Sequence, residues 1–116
     1  MVERAVIYHN PRCSKSRQTL QLLRDHGIEP TVVEYLLEPP AAATIETLIA
    51  LLGIVPHALV RQKEVPYGAH GLTTQSSASE VAKAIAADPV LLERPVVVIG
   101  ARAVIGRPPE NVLELL

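Results

Sequence analysis

The sequence predicts an α/β fold built on a mixed sheet, and three observations carry that prediction. A short apolar run at residues 5–8 is followed by a helix-like stretch and then by a second, β-branched run at 31–36. That order favours a parallel pair of strands joined by a right-handed crossover. Near the end, Pro95-Val96-Val97-Val98-Ile99 and Ala103-Val104-Ile105 flank Gly100-Ala101-Arg102, the pattern of an antiparallel hairpin. Between the two halves lie segments with helical periodicity.

Taken in order, Ala5-Val6-Ile7-Tyr8 reads as a buried strand that His9-Asn10-Pro11 breaks, because proline lacks a donor and restricts the residue before it. Residues 14–26 read as a helix with Leu20 and Leu23 on one face, extended by Leu22, and with Gly27 as a left-handed cap. Thr31 to Leu36 forms the second strand. Ile45, Leu48, Ile49 and Leu52 recur at helical spacing in a helix from about residue 41 to 52, ahead of Gly53. Pro56 suits a first helical position and opens a short helix carrying Leu59, Val60 and Arg61. Residues 65–76, rich in Gly, Ser and Thr, read as a loop. Ser77 with Glu80 fits a capping box for a helix to about residue 87. A last helix carrying Val112, Leu113 and Leu116 follows Pro108-Pro109. Strand-helix-strand, inserted helices, then strand-strand-helix is the layout of a thioredoxin-like domain, here a single one over residues 1–116.

With 48% hydrophobic and 20% charged residues, the chain has the composition of a soluble globular domain. It holds no Phe or Trp, so base stacking has little to work with, and its net charge of −1 predicts no nucleic-acid or membrane partner. No apolar stretch is long enough to span a bilayer, and the opening Met-Val-Glu-Arg-Ala-Val-Ile-Tyr lacks the features of a signal peptide. The single cysteine rules out an internal disulfide and a multi-cysteine zinc site, and suits a reducing compartment, by default the cytoplasm. His9, His26, His57 and His70 are too scattered for a metal-ligand pattern, so no metal and no bound cofactor are expected.

The informative segment is His9-Asn10-Pro11-Arg12-Cys13-Ser14-Lys15-Ser16-Arg17. A helix starting near Ser14 places Cys13 at its N-terminal end, where free N–H groups and the helix dipole favour a thiolate or a bound oxyanion. The thiolate is the nucleophilic form. Arg17 lies one turn into the helix on the side of Cys13 and adds positive charge. A lone cysteine is often only a small buried hydrophobe, but a strand end, a proline and three cationic side chains are unusual surroundings for an inert thiol. His9 either ends the strand with a hydrogen bond to the loop, or tunes the thiol and passes a proton. Asn10 suits a turn cap. Neither Cys-x5-Arg nor Cys-x-x-Cys occurs, because position 19 is Thr19 and position 16 is Ser16. Cys13 has no resolving partner in the chain, so a redox cycle needs an external thiol.

The run Ile7-Tyr8-His9-Asn10-Pro11-Arg12-Cys13-Ser14-Lys15-Ser16-Arg17-Gln18-Thr19-Leu20 resembles the glutaredoxin-coupled arsenate reductase family, the ArsC type, which is related to Spx-like proteins. Leu59-Val60-Arg61-Gln62-Lys63-Glu64, Glu93-Arg94-Pro95-Val96-Val97-Val98 and Ile105-Gly106-Arg107-Pro108-Pro109-Glu110 continue the likeness in the expected order over nearly the whole chain. The resemblance implies an enzyme of arsenic detoxification, and the chain is expected to act as a monomer in the cytoplasm. In such an enzyme Cys13 attacks arsenate with His9 beside it, and Arg61, Arg94 and Arg107 surround the oxyanion. It also implies glutathione as co-substrate, glutaredoxin as the partner that takes over the mixed disulfide, and Pro95 as the candidate for a cis bond.

Two other readings fit part of the pattern. One is a glutathione-dependent thiol reductase acting on another oxyanion or a disulfide. The other is a non-enzymatic, Spx-like regulator that binds RNA polymerase. Such regulators typically carry Cys-x-x-Cys, which Cys13-Ser14-Lys15-Ser16 lacks.

Overall fold

The computed structural model describes residues 4–116; the first three residues of the N-terminal reading above lie outside them. The chain falls into two compact units, Met1–Glu38 with Arg94–Leu116, and Pro39–Glu93.

The first unit is a four-stranded mixed sheet. Strand β1 (Ala5–His9) leads through Cys13 into helix α1 (Ser14–Asp25), which Gly27 ends with φ of 79° before β2 (Thr31–Glu34) begins. The C-terminal segment supplies a hairpin. β1 and β2 pair in parallel, Ile7 opposite Val32 and His9 opposite Glu34. Alternate residues of β1 point to the core, so Ala5 and Ile7 join Leu20 and Leu23 of α1 in one cluster with Val97, Ile99, Val112 and Leu115. That burial fixes the register, since a slip by one residue would turn Ile7 to the other face.

The second unit carries helix α2 (Ala42–Leu52), closed by Gly53 at φ 63°, and helix α3 (Ala78–Ala87), which pack on each other. Their apolar faces are Ile45, Leu48 and Ile49 against Val81, Ala82, Ala84 and Ile85. Ser77 and Glu80 form the reciprocal capping box read from the sequence. Strands β3 (Val96–Ile99) and β4 (Arg102–Ile105) complete the sheet, in the order β2-β1-β3-β4. β3 runs antiparallel to both β1 and β4. Parallel and antiparallel pairing together bring the C-terminal ends of β1 and β2, the start of β3 and the end of β4 to one edge of the first unit.

Four local differences from the sequence reading have physical causes. β2 stops at Glu34 because the N–H groups of Leu37 and Glu38 both bond to the Glu34 carbonyl, closing a turn before Pro39. The helix opened by Pro56 is a 3-10 turn ending at Leu59, because Val60 bridges to Leu92 and the Arg61 N–H donates to the Leu91 carbonyl. The stretch 65–76 includes a 3-10 turn, Val65–Ala69, started by Pro66. The final helix is the 3-10 segment Pro109–Leu115, which buries Val112 and Leu115. Among the described residues, no helix is long and apolar enough to cross a membrane.

Candidate active site

Cys13 is the N-cap residue of α1. Asn10 builds the approach. Its side-chain oxygen accepts from the Arg12 N–H at 3.0 Å, and its carbonyl accepts from the Cys13 N–H at 3.0 Å. This tight turn, made by an Asn before proline, swings the chain out of β1 and leaves the thiol half-buried at the helix start. Burial raises the thiol pKa, but other groups outweigh it. In order, these are the backbone N–H of Ser16, a hydrogen bond from the Arg94 side chain, the N–H of Lys15 and the positive charge of Arg94. The net position is below the ordinary thiol value.

Arg107 adds a second guanidinium. Its Nη1 lies 3.6 Å from Cys13 Sγ and also donates to the Arg94 carbonyl at 3.3 Å. The end of β4 places it there through Gly106, whose N–H donates to the Pro95 carbonyl at 2.9 Å. A side chain at Gly106 would stand 2.5 Å from Thr19 Oγ1 and 2.9 Å from Pro95 Cγ. Only glycine lets β4 come this close to α1. The Arg94–Pro95 bond is cis, as the resemblance implied, and so is Arg107–Pro108, which the sequence reading did not foresee.

His9 is buried at the end of β1, and its Nδ1 sits 2.6 Å from the hydroxyl of Ser16. Burial lowers its pKa; the Glu34 carboxylate opposes this, while the charges of Arg24 and Arg17 reinforce it, so the ring stays below the usual histidine value. Arg17 braces the loop, its Nη1 donating to the Pro11 carbonyl at 2.9 Å. Arg61 belongs to the second unit, where it forms ion pairs with Glu64 at 3.2 Å and Glu93 at 3.3 Å.

Of the residues singled out in the sequence, Arg94 and Arg107 come together at Cys13, while His9 is bound to Ser16 and Arg17 to the Pro11 carbonyl, all within the first unit. Sequence reasoning missed Ser16, Thr19 and Gly106 as parts of this arrangement. Ser16 had a signal: three positions beyond Cys13 in a helix, it shares the cysteine's face. Gly106 had a weaker one, a glycine directly before an arginine at a strand end. Among the described residues, no group of three His, Cys, Asp or Glu could hold a metal ion.

A mixed sheet of this order, flanked by helices and with a cysteine at the N-terminus of its first helix, defines a thioredoxin-like α/β domain. The ArsC family model matches residues 8–115, and the chain belongs to that family. Its relatives include the uncharacterized protein YfgD of Escherichia coli, 48% identical over 118 residues that cover 100% of this chain and 99% of that one. An arsenate reductase of Rhizobium meliloti is 44% identical over 95% of this chain and 79% of its own length. Among solved structures, the arsenate reductase from Vibrio cholerae superposes with a TM-score of 0.92 at 44% identity, covering 100% of both chains.

Proposed function

We propose that this protein reduces arsenate to arsenite by nucleophilic attack of Cys13 on arsenic(V), with glutathione and glutaredoxin as external thiol donors. The observation that carries the reading is the half-buried thiol of Cys13, held below its ordinary pKa with the guanidinium of Arg107 3.6 Å away. Several relatives at 40–44% identity bear the name arsenate reductase, which supports the choice of substrate.

Arsenate is a tetrahedral anion, and a neutral thiol attacks it poorly. Arginine forks suit its oxygens and stabilise the charge that builds in the pentacoordinate state. Arg94, Arg107 and Arg17 serve this role from the first unit, and Arg61 is the further arginine that the family resemblance assigns to it. One arsenate oxygen leaves as water and a Cys13 S–As(V) bond forms. The glutathione thiol then attacks Cys13 Sγ. The S–As bond breaks with its electron pair going to arsenic, arsenite leaves, and Cys13 is left in a mixed disulfide with glutathione. Glutaredoxin takes the glutathione, returning Cys13 as thiolate. The absence of a second cysteine from the chain is an independent reason for an outside thiol. The whole chain acts as one domain, as a monomer in the reducing cytoplasm, without a bound cofactor.

The test is arsenate-dependent NADPH oxidation with glutathione, glutaredoxin and glutathione reductase supplied, for the wild type beside Cys13→Ser. Turnover that needs both arsenate and Cys13 is the expected result. Equal activity in the variant would remove the mechanism; no turnover in the wild type would move the substrate elsewhere.

A further inference from the structure

Ser16 has no solvent exposure, yet it is a polar residue in the first turn of a helix. Its hydroxyl is held from two sides. His9 Nδ1 lies 2.6 Å away, and the backbone N–H of Asn10 donates to it at 3.1 Å. Its own backbone N–H is the foremost of the groups that favour the Cys13 thiolate. One residue therefore joins the end of β1, the turn before Cys13 and the N–H that faces the sulfur. The His9 ring is thus hydrogen-bonded to the Ser16 hydroxyl.

We infer that Ser16 is a positioning residue for the nucleophile: its buried hydroxyl clamps the first turn of α1 to His9 and Asn10, so that the backbone N–H groups of Lys15 and Ser16 stay aimed at Cys13 Sγ. The effect of His9 on the thiol passes through this hydroxyl. Asn10 already donates to Oγ, and a neutral His9 either accepts the hydroxyl proton at Nδ1 or donates its own; both geometries hold the turn. Helix ends fray, and an N–H that wanders from the sulfur stabilises its anion less. Position 16 is where a Cys-x-x-Cys protein carries its second sulfur. Here that place is used to hold the first sulfur in its reactive form.

The inference rests on Cys13 being the nucleophile, but its test needs no arsenate. The rate of Cys13 alkylation by iodoacetamide is followed against pH in the wild type, Ser16→Ala, His9→Ala and the double variant. The charged and titratable groups that face the thiol and His9 are Arg94, Arg107, Arg17, Arg24 and Glu34, and all are unchanged in these variants. Ser16→Ala is expected to move the profile to higher pH, cutting the rate by about three- to tenfold at pH values below the wild-type midpoint, as for loss of one well-placed hydrogen bond. The plateau at high pH should stay unchanged. Adding Ser16→Ala to His9→Ala is expected to shift the profile by less than it does in the wild type, since the two act through one contact.

A Ser16→Ala profile that coincides with the wild type, or effects that simply add, would overturn the inference. An ordinary thiol profile in the wild type would instead overturn the nucleophile reading beneath it. Should Ser16→Ala not fold, the His9 ring nitrogens of the wild type decide the matter by NMR. Their resonances should move when Cys13 is alkylated, and unmoved resonances would refute the coupling.

Discussion

The guanidinium of Arg107 stands 3.6 Å from the sulfur of Cys13, although 94 positions separate them in the chain. Hairpin pairing of β3 with β4 and the antiparallel pairing of β3 with β1 bring the two together, because both register sets return the chain to the same edge of the sheet. Arg107→Ala should leave the fold intact, since its side chain is exposed. It should lower kcat/KM for arsenate by about ten- to a hundredfold, at or below the loss typical of one donor to a developing oxyanion. Steady-state kinetics beside a thermal melt would check both halves. Unchanged turnover would remove Arg107 from the site.

Gly106 gives a prediction about stability. A Cβ there meets Thr19 Oγ1 at 2.5 Å and Pro95 Cγ at 2.9 Å, both in the packed contact between α1 and the end of β4. Gly106→Ala should destabilise the protein by about 1–3 kcal/mol, the usual cost of overpacking. It should also impair turnover through Arg107, the next residue. Urea denaturation measures the first effect, and a midpoint equal to the wild type would show that the neighbours yield freely.

The depressed pKa of Cys13 sets a pH dependence. Its thiolate persists below the ordinary thiol range, so alkylation should fall only as pH drops through the lowered folded value. The sign for stability follows the same direction. An acid whose folded pKa lies below its unfolded one contributes stability that is fully present above the unfolded value, about 8.5, and is lost as pH falls through the folded value. Cys13→Ser should remove that part of the pH dependence, which denaturation at several pH values would reveal. An identical pH dependence in the variant would contradict the shift.

Ser77 offers a check on the second unit alone. Ser77→Ala removes the side-chain half of the capping box on α3 and should cost about 0.5–2 kcal/mol. A lowered Tm with arsenate turnover retained at low temperature is the expected pair of results. An unchanged Tm would mean the box contributes nothing to the stability of the folded chain.

Arg61 carries a prediction that the resemblance alone supplies. Arg61→Ala should raise the KM for arsenate while leaving the alkylation profile of Cys13 where it was. A KM equal to the wild type would limit Arg61 to its ion pairs with Glu64 and Glu93.

What the sequence determined by itself is whatever short-range chemistry dictates. The apolar period of residues 5–8 and 14–26, the break at Asn10-Pro11, the capping box at Ser77 and the hairpin around Gly100 each depend on neighbours a few residues away. They placed Cys13 at a helix N-terminus without any knowledge of the rest of the chain. Tertiary structure decided the remainder, because it depends on strand register and on atoms distant in sequence. Val60 is extended because Leu92, distant in the chain, lies opposite it. Arg107 becomes a neighbour of the thiol only when β4 pairs with β3, and Gly106 is required only because Thr19 comes that close. Ser16 reads locally as a cysteine that is missing. Its buried hydroxyl acquires a role only when β1 folds back beside α1 and sets His9 against it.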